Sequence, residues 1–197
     1  MKRLVVLVSG GGSNLQALID ACDNGTVNAK IVAVFSNNAN AYGLERAKDA
    51  GIISHSFDAK DYDMILDYEP DGIVLAGYLK IIPGHFVDKM KHKIINIHPS
   101  LIPSFAGPGF YGSKVHRAVL KRGVKYSVAT THFVSEEADG GPIIMQATVE
   151  VYLEDSVDTL ADRVLKQEHK ILVETLRLYC DDKLVVLDDK VILVEDK

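Results

Sequence analysis

Short apolar runs alternate with amphipathic stretches through the first half of the chain, and this order limits the folds available to it. The runs are rich in Val, Ile and Leu and show little polar alternation, which is typical of strands buried on both faces. The predicted strands are 3–9, 29–36, 52–57, 71–78 and 93–98, and the predicted helices between them are 14–24, 43–51, 62–69 and 83–90. We therefore predict an α/β, Rossmann-like fold with a mostly parallel sheet and helices on both faces.

The second half of the chain has a different pattern. Residues 101–113 contain three glycines and two prolines and predict a long loop. A helix at 114–122, antiparallel strands at 126–134 and 142–151, and a long helix at 155–182 with Ser156 as its N-cap are predicted next. The tail, 183–197, predicts a hairpin turning at Asp188 and Asp189. At 197 residues we expect one domain, 1–197.

Composition excludes several classes of function. The net charge is −5 and no block of basic residues is present, so a nucleic-acid partner is not expected. The apolar run at 3–9 is interrupted by glycines before it is long enough to cross a membrane, so neither a membrane segment nor a signal peptide is predicted. Cys22 and Cys180 are far apart and lack a CxxC spacing, which favours neither zinc nor a disulfide and is typical of the reducing cytoplasm.

A glycine-rich turn, SGGGSNLQ at 9–16, joins the first strand to the first helix. Glycines let the backbone approach a ligand closely, and the free N–H groups of a helix start favour an anion such as phosphate. The turn lacks the Gly-Lys-Ser/Thr of a Walker loop and the third glycine of GxGxxG, so a small phosphate ester fits better than ATP or NAD. The simpler interpretation is a tight turn in which Ser13 is the helix N-cap.

The segment INIHPSLIP, 94–102, places Asn96 and His98 on the same face of a strand, at the end where parallel sheets bind ligands. A histidine there can donate a proton, and an amide can hydrogen-bond the same substrate oxygen. The alternative is a buried, hydrogen-bonded structural histidine. Asp139 in EEADGG could be only a turn residue, but beside His98 it would raise the histidine's pKa and fix its tautomer. Together with His132 these residues could ligate a metal, although no local ligand spacing supports one, and none is predicted.

Taken together, these segments closely resemble the folate-dependent glycinamide ribonucleotide formyltransferases of purine synthesis. The matching pieces occur in family order and span nearly the whole chain. They are VSGGGSNLQALIDA, VFSNNANAYGLERAKDAG, VLAGYLKII, INIHPSLIPSF, HFVSEEADGGPII and QEHKI. The resemblance implies the formyltransferase fold and transfer of the formyl group of 10-formyltetrahydrofolate, a co-substrate, to the amine of glycinamide ribonucleotide. It also implies that Asn96 and His98 polarise the formyl oxygen, that Asp139 supports a charged His98 and helps proton transfer, and that His132 is auxiliary.

The resemblance also implies that the N-terminal half of the domain binds the ribonucleotide and that the C-terminal half binds folate and carries catalysis. It implies the binding residues as well. Those for the ribonucleotide are Gly11, Gly12, Ser13, Asn14 and Glu168. Those for folate are Leu79, Lys80, Ile81, Ile82, Ser135, Glu136, Glu137, Ala138 and Asp139. For the two isoleucines, ordinary core packing is the competing interpretation.

Three positions depart from the family pattern. Lys80 stands where many relatives have arginine, which would replace a forked contact to the folate tail with a point charge. The segment between Phe57 and Asp71 is shortened, with Lys60 a possible substitute for a lost folate contact. The loop at 106–114 is longer than usual, and its glycines lead us to expect a lid that excludes water.

Other enzymes use the same arrangement of Asn, His and Asp. Methionyl-tRNA formyltransferases carry a further domain and a basic surface, formyltetrahydrofolate hydrolases carry an N-terminal regulatory domain, and sugar-amine formyltransferases share the same site. The glycine turn favours the ribonucleotide among these acceptors. A non-catalytic sensor of nucleotides or folate is the alternative outside the enzymes. We expect only small-molecule partners, no membrane, and a monomer or homodimer.

Overall fold

The computed structural model describes residues 1–194 of the chain. Nine strands are described there: β1 (Lys2–Val8), β2 (Ala29–Ser36), β3 (Ser54–Ser56), β4 (Gly72–Leu75), β5 (Ile94–His98), β6 (Tyr126–Phe133), β7 (Ile143–Glu150), β8 (Leu184–Leu187) and β9 (Lys190–Leu193). The α-helices of the same residues are α1 (Ser13–Asp23), α2 (Tyr42–Asp49), α3 (Gly84–Lys89), α4 (Ser113–Arg122) and α5 (Val157–Cys180). A 3₁₀ helix covers Asp63–Tyr68.

The main sheet has seven strands in the order β3-β2-β1-β4-β5-β6-β7. Neighbouring strands from β3 to β5 pair in parallel, and β6 pairs antiparallel with both β5 and β7. The chain leaves β1 toward β2 and β3 and then returns to place β4 on the other side of β1. Ligands of open α/β sheets bind outside the carboxyl ends of the strands at such a reversal, so the crevice between β1 and β4 is the expected site.

Strand β1 shows why its apolar run has no polar alternation. Residues Leu4 to Val8 are fully buried, because helices cover both faces of the sheet. Leu4, Val6 and Val8 face the layer that contains α1, α2, α4 and α5. Val5 and Leu7 face the 3₁₀ helix and α3. The predicted two-sided α/β architecture is confirmed.

The longest helix, α5, begins with a reciprocal cap. Ser156 Oγ accepts a hydrogen bond from the backbone N–H of Thr159, and the Ser156 N–H donates to Thr159 Oγ1. The predicted N-cap is therefore confirmed. The apolar face of α5 packs on β6 and β7 and places Glu168 beside the start of α1.

Most predicted elements are present, with shifts of one or two residues at their ends. The segment predicted to be helical at 62–69 forms a 3₁₀ helix and not an α-helix, and it ends when Glu69 adopts a left-handed conformation with φ 47°. The strand predicted at 71–78 stops at Leu75. The tail hairpin turns at Asp188 and Asp189, both with positive φ, as predicted, and the last three residues of that prediction, 195–197, lie outside the described residues.

None of the helices within residues 1–194 combines the length and apolar character that a membrane-spanning helix requires.

Candidate active site

Strand β5 carries two polar side chains at its carboxyl end. Asn96 and His98 lie on the same face, as the period of two predicts, and the pairing of β5 with β6 sets Asn96 opposite His132. His98 and His132 are buried, and Asn96 is half-buried. The Asn96 Nδ2 lies 3.1 Å from His132 Nε2. These three side chains therefore form one polar group at the edge of an apolar sheet.

The turn after β6 adds Asp139 to this group. Its Oδ2 lies 3.6 Å from His98 Nδ1, and its Oδ1 lies 3.7 Å from His132 Nε2 and 3.5 Å from Asn96 Nδ2. Asp139 has a left-handed backbone conformation, φ 56°. Gly141 makes the turn possible, because a Cβ there would lie 1.9 Å from the Phe133 carbonyl oxygen. The structure thus brings together the four residues predicted for catalysis, Asn96, His98, His132 and Asp139.

Hydrogen bonds to carbonyl oxygens assign the tautomers of both histidines. A carbonyl only accepts, so His98 Nε2 donates to Phe105 O at 3.1 Å and His132 Nδ1 donates to Phe133 O at 2.8 Å. In the neutral imidazole of His132 the Nε2 lone pair then accepts from Asn96 Nδ2. In neutral His98 the unprotonated Nδ1 faces Asp139.

Asp139 raises the pKa of His98, as expected, but the net shift of that pKa is downward. Burial lowers the pKa more than Asp139 and the Phe105 carbonyl raise it, and His132 lowers it further. Asp139 itself behaves differently. Burial is the largest single influence on its pKa and acts upward, but His132, the charge of His98 and the N–H of Gly107 together hold that pKa below its usual value. Burial therefore disfavours a positive charge on His98, while the neighbours of Asp139 favour its ionised form.

A cavity of about 330 Å³ opens beside this group. Asn96, His98 and His132 form part of its wall. All the residues predicted to contact folate line it as well, namely Leu79, Lys80, Ile81, Ile82, Ser135, Glu136, Glu137, Ala138 and Asp139.

The isoleucines and lysines predicted near folate differ in exposure and in whether they line the cavity. Ile81 is 71% exposed and is not a core residue, whereas Ile82 is buried in the core and also reaches the cavity. Lys60, predicted as a substitute for a lost folate contact, has an exposed side chain 3.7 Å from Asp58 and is not among the residues that line the cavity. Lys80 is exposed at the cavity wall.

The long loop before α4 forms the opposite wall. Residues 107–112 line the cavity, and the Gly107 N–H donates to Asp139 Oδ2 at 2.9 Å. Phe105, with φ 54°, turns its carbonyl toward His98. The loop therefore contacts two of the four grouped side chains through its backbone.

The glycine turn lies at the carboxyl end of β1. Gly12, with φ 70°, is the N-cap position of α1, and Ser13 is the first helical residue, so the interpretation of Ser13 as N-cap is wrong. Asn14 is buried, and its Nδ2 donates to Glu168 Oε2 at 2.7 Å. Burial raises the pKa of Glu168, and the bond from Asn14 opposes that rise. Asn14 on α1 and Glu168 on α5, both predicted to bind the ribonucleotide, are thus in direct contact.

Comparison with known proteins identifies the family. The family model described as formyl transferase matches residues 2–176 of the chain.

The chain belongs to the formyl transferase family.

Within this family the chain is 43% identical over 193 residues to phosphoribosylglycinamide formyltransferase of Escherichia coli, covering 92% of this chain and 89% of the relative. A solved glycinamide ribonucleotide transformylase 1 from Symbiobacterium toebii has a TM-score of 0.93 at 37% identity, over 99% of this chain and 95% of that one. A formyltetrahydrofolate deformylase from Pseudomonas syringae has a TM-score of 0.87 at 30% identity, over 98% of this chain and 66% of that one.

In this formyltransferase domain, no group of three or more His, Cys, Asp or Glu side chains among the described residues is arranged to hold a metal ion. The Nε2 atom of His132 is hydrogen-bonded to the Asn96 amide, and the Nε2 atom of His98 is hydrogen-bonded to the Phe105 carbonyl.

Sequence reasoning missed several contributors to the formyltransferase site. The Phe105 carbonyl and the Gly107 N–H are backbone groups, and only the glycine content of the loop hinted at their positions. Tyr78 lines the cavity, and its hydroxyl group bonds that of Tyr62 at 2.8 Å in the shortened segment. Arg46 on α2 contacts the glycine turn, and no local sequence signal indicated this contact.

Proposed function

We propose that the protein transfers the formyl group of 10-formyltetrahydrofolate to the amine of glycinamide ribonucleotide, giving formylglycinamide ribonucleotide and tetrahydrofolate. The observation that supports it most is the convergence of Asn96, His98 and Asp139 on the wall of one cavity. The names of the relatives with which the chain shares about 40% identity support the same reaction.

The formyl oxygen is placed where Asn96 and His98 can donate to it. In the free protein the Nε2–H of His98 is bound to the Phe105 carbonyl, so the formyl oxygen replaces that carbonyl as acceptor. The Asn96 contact to Asp139 is 3.5 Å, so its N–H is only weakly bound and can turn to the same oxygen. Both donors stabilise the negative charge that develops when the amine attacks the formyl carbon.

Asp139 accepts the proton that the attacking amine loses and passes it on toward the folate N10. The attacking amine loses one proton as its bond to the formyl carbon forms, and the folate N10 gains one as its bond to that carbon breaks. Asp139 is ionised and accepts the first proton, which then reaches N10 through water. Before it accepts that proton, its negative charge, 3.6 Å from His98 Nδ1, stabilises the imidazolium that forms when Nδ1 takes up a proton from solvent. His132 keeps the Asn96 amide in place.

The ribonucleotide phosphate binds at the turn formed by Gly11, Gly12, Ser13 and Asn14. The start of α1 supplies backbone N–H groups and the positive end of the helix dipole. Glu168 accepts a hydrogen bond from a ribose hydroxyl while Asn14 keeps its carboxyl group oriented.

Folate occupies the 330 Å³ cavity between the wall at 79–82 and the turn at 135–139. Leu79 and Ile81 are exposed there and offer apolar surface to the ring system. Lys80 meets the acidic tail. The loop at 106–114 acts as a lid that excludes water from the formyl group.

We also infer that residues 1–197 act as one domain, as a monomer or homodimer, in the cytoplasm. The described helices and strands share one sheet and two layers, with β8 and β9 as an added hairpin. Burial raises the pKa of the Cys22 thiol to about 11, which supports a chain with unreactive thiols.

The test is a reaction with both substrates in which tetrahydrofolate and formylated ribonucleotide are measured together. We expect both products, a loss of about 100-fold or more in kcat in His98→Ala, and little change in ribonucleotide binding. His85→Ala, at an exposed histidine outside the cavity, is the matched control. Tetrahydrofolate without formylated ribonucleotide would indicate a hydrolase, and ribonucleotide binding without either product would indicate a sensor.

A further inference from the structure

Arg46, on the side of α2, makes two hydrogen bonds to the glycine turn and one contact with a ring of its own helix. Its Nε donates to the Gly11 carbonyl at 2.8 Å, and its Nη1 donates to Gln16 Oε1 at 3.1 Å. The guanidinium also lies over the ring of Tyr42, 4.9 Å from the centroid. A side chain held by two hydrogen bonds and a ring has a fixed position, so the Gly11 carbonyl is fixed with it.

The backbone of α2 holds the preceding peptide of the same turn. Gly43 N–H donates to the Gly10 carbonyl at 3.0 Å. This contact requires glycine on both sides, since a Cβ on Gly12 would lie 2.7 Å from Gly43 Cα and a Cβ on Gly43 would lie 2.9 Å from Val8 Cγ2. Helix α2 is therefore packed directly against the turn.

Peptide geometry converts these two bonds into an orientation of two donors. In a planar trans peptide the C=O of one residue and the N–H of the next point in opposite directions. With the Gly10 and Gly11 carbonyls directed at α2, the N–H groups of Gly11 and Gly12 are directed away from it. Neither N–H has a hydrogen-bond partner within residues 1–194, so both are available to a ligand.

We propose that Arg46 is a positioning residue for the phosphate of the ribonucleotide. By holding the Gly11 carbonyl on the α2 side, Arg46 keeps the Gly12 N–H turned toward the bound anion. Its positive guanidinium also offsets the partial negative charge of the Gly11 carbonyl oxygen, which would otherwise repel the anion. Gly43 does the same for the Gly11 N–H. This inference rests on the proposed function for the identity of the ligand, while the orientation of the donors predicts binding of any phosphate monoester.

The test compares Arg46→Gln with Lys48→Gln, which removes the same charge from an exposed position on the same helix. Binding of ribonucleotide and of inorganic phosphate is measured by calorimetry without folate, and steady-state kinetics are measured with both substrates. In Arg46→Gln we expect about tenfold weaker binding of both ligands and about a tenfold higher ribonucleotide KM, the effect of losing one hydrogen bond from a charged donor. We expect kcat and the folate KM to stay within about twofold, and Lys48→Gln to match the wild type.

Arg46→Lys supplies a second variant that keeps the charge but loses the fixed fork of donors. We expect Arg46→Lys to recover only part of the affinity for phosphate. If circular dichroism shows that Arg46→Gln is unfolded, the phosphate affinity of Arg46→Lys tests the proposal in its place. Unchanged phosphate and ribonucleotide affinity in a folded variant would overturn the proposal, as would a fall in kcat at constant KM.

Failure of the proposed function gives a different result. A wild-type protein that binds phosphate but transfers no formyl group, with phosphate binding weakened in Arg46→Gln, would reject the reaction and keep the role of Arg46. Formyl transfer with equal ribonucleotide KM in wild type and Arg46→Gln would support the reaction and reject the role of Arg46.

Discussion

Replacing Asp139 with asparagine removes one charge from the centre of the site while keeping its shape. The carboxamide oxygen can still accept the Gly107 N–H, which lies 2.9 Å from Oδ2. What is lost is the negative charge beside His98 and the capacity to accept a proton. The substitution therefore separates the electrostatic contribution of Asp139 from its contribution to folding.

The magnitude follows from one distance. His98 Nδ1 and Asp139 Oδ2 are 3.6 Å apart. When His98 is protonated on Nδ1 in the transition state, the opposite unit charges at that separation attract by about 4.6 kcal/mol at an effective dielectric constant of about 20. The Asp139 side chain is 15% exposed, and the distance is longer than a hydrogen bond, so water weakens the attraction. We expect about 2 to 3 kcal/mol to be lost in the transition state, or about 30- to 150-fold in kcat.

The pH dependence gives a second signature. Burial already lowers the pKa of His98, and Asp139 opposes that shift, so removing the carboxylate lowers the pKa further. The limb of the kcat/KM profile that reports His98 should therefore move to lower pH. Stopped assays of formylated ribonucleotide across the pH range measure both effects, and Glu154→Gln, an exposed change of equal charge, is the control.

Retention of kcat within about threefold in Asp139→Asn would refute the electrostatic role of this carboxylate. A pH profile that coincides with the wild type would refute its influence on His98, even if kcat fell.

Further predictions concern the wall, the lid and the core. Tyr62→Phe breaks the hydroxyl pair with Tyr78 beneath the cavity, so we expect the folate KM to rise about threefold at constant kcat in steady-state assays, and an unchanged KM would contradict this. Deleting Gly107–Tyr111 should raise hydrolysis of formyltetrahydrofolate without ribonucleotide by about tenfold, and unchanged hydrolysis and turnover would exclude a lid. Leu172→Ala, at a fully buried position on α5, should lower the free energy of unfolding in urea by about 2 to 5 kcal/mol, and a loss below about 1 kcal/mol would show that α5 packs loosely there.

Where residue type and position in the chain decide the structure, the sequence was a reliable guide to the fold. The five buried residues from Leu4 to Val8 are apolar because both faces of β1 are covered, so burial is visible in the pattern itself. The helical type at 62–69 was not predictable in the same way. Ile65 is the buried residue of the 3₁₀ helix Asp63–Tyr68, and a six-residue segment with a single buried position carries no periodicity that separates 3₁₀ from α.

Some groups of the site could be predicted from the sequence and others could not. Asn96 and His98 could be paired from the period of a strand, and Asp139 became a candidate through the resemblance of its turn to a known family. The Phe105 carbonyl could not be found, because every residue carries a carbonyl and only tertiary contact directs this one to His98. The lowered pKa of His98 was also hidden, since it depends on how far burial outweighs one neighbouring charge.

The order of strands explains how one site can serve two substrates. The glycine turn follows β1, the wall beginning at Leu79 follows β4, and Asn96 and His98 end β5, so adjacent parallel strands present all three at the same edge. Ser9 links the first two, because its N–H donates to the Gly77 carbonyl at 3.2 Å and its Oγ accepts the Leu79 N–H at 2.9 Å. Two strand spacings, about 10 Å, separate β1 from β5, a distance that a ribose phosphate with a glycinamide arm can bridge. On the proposed function, a ribonucleotide held at the turn therefore carries its amine to His98 across the wall that holds the formyl donor.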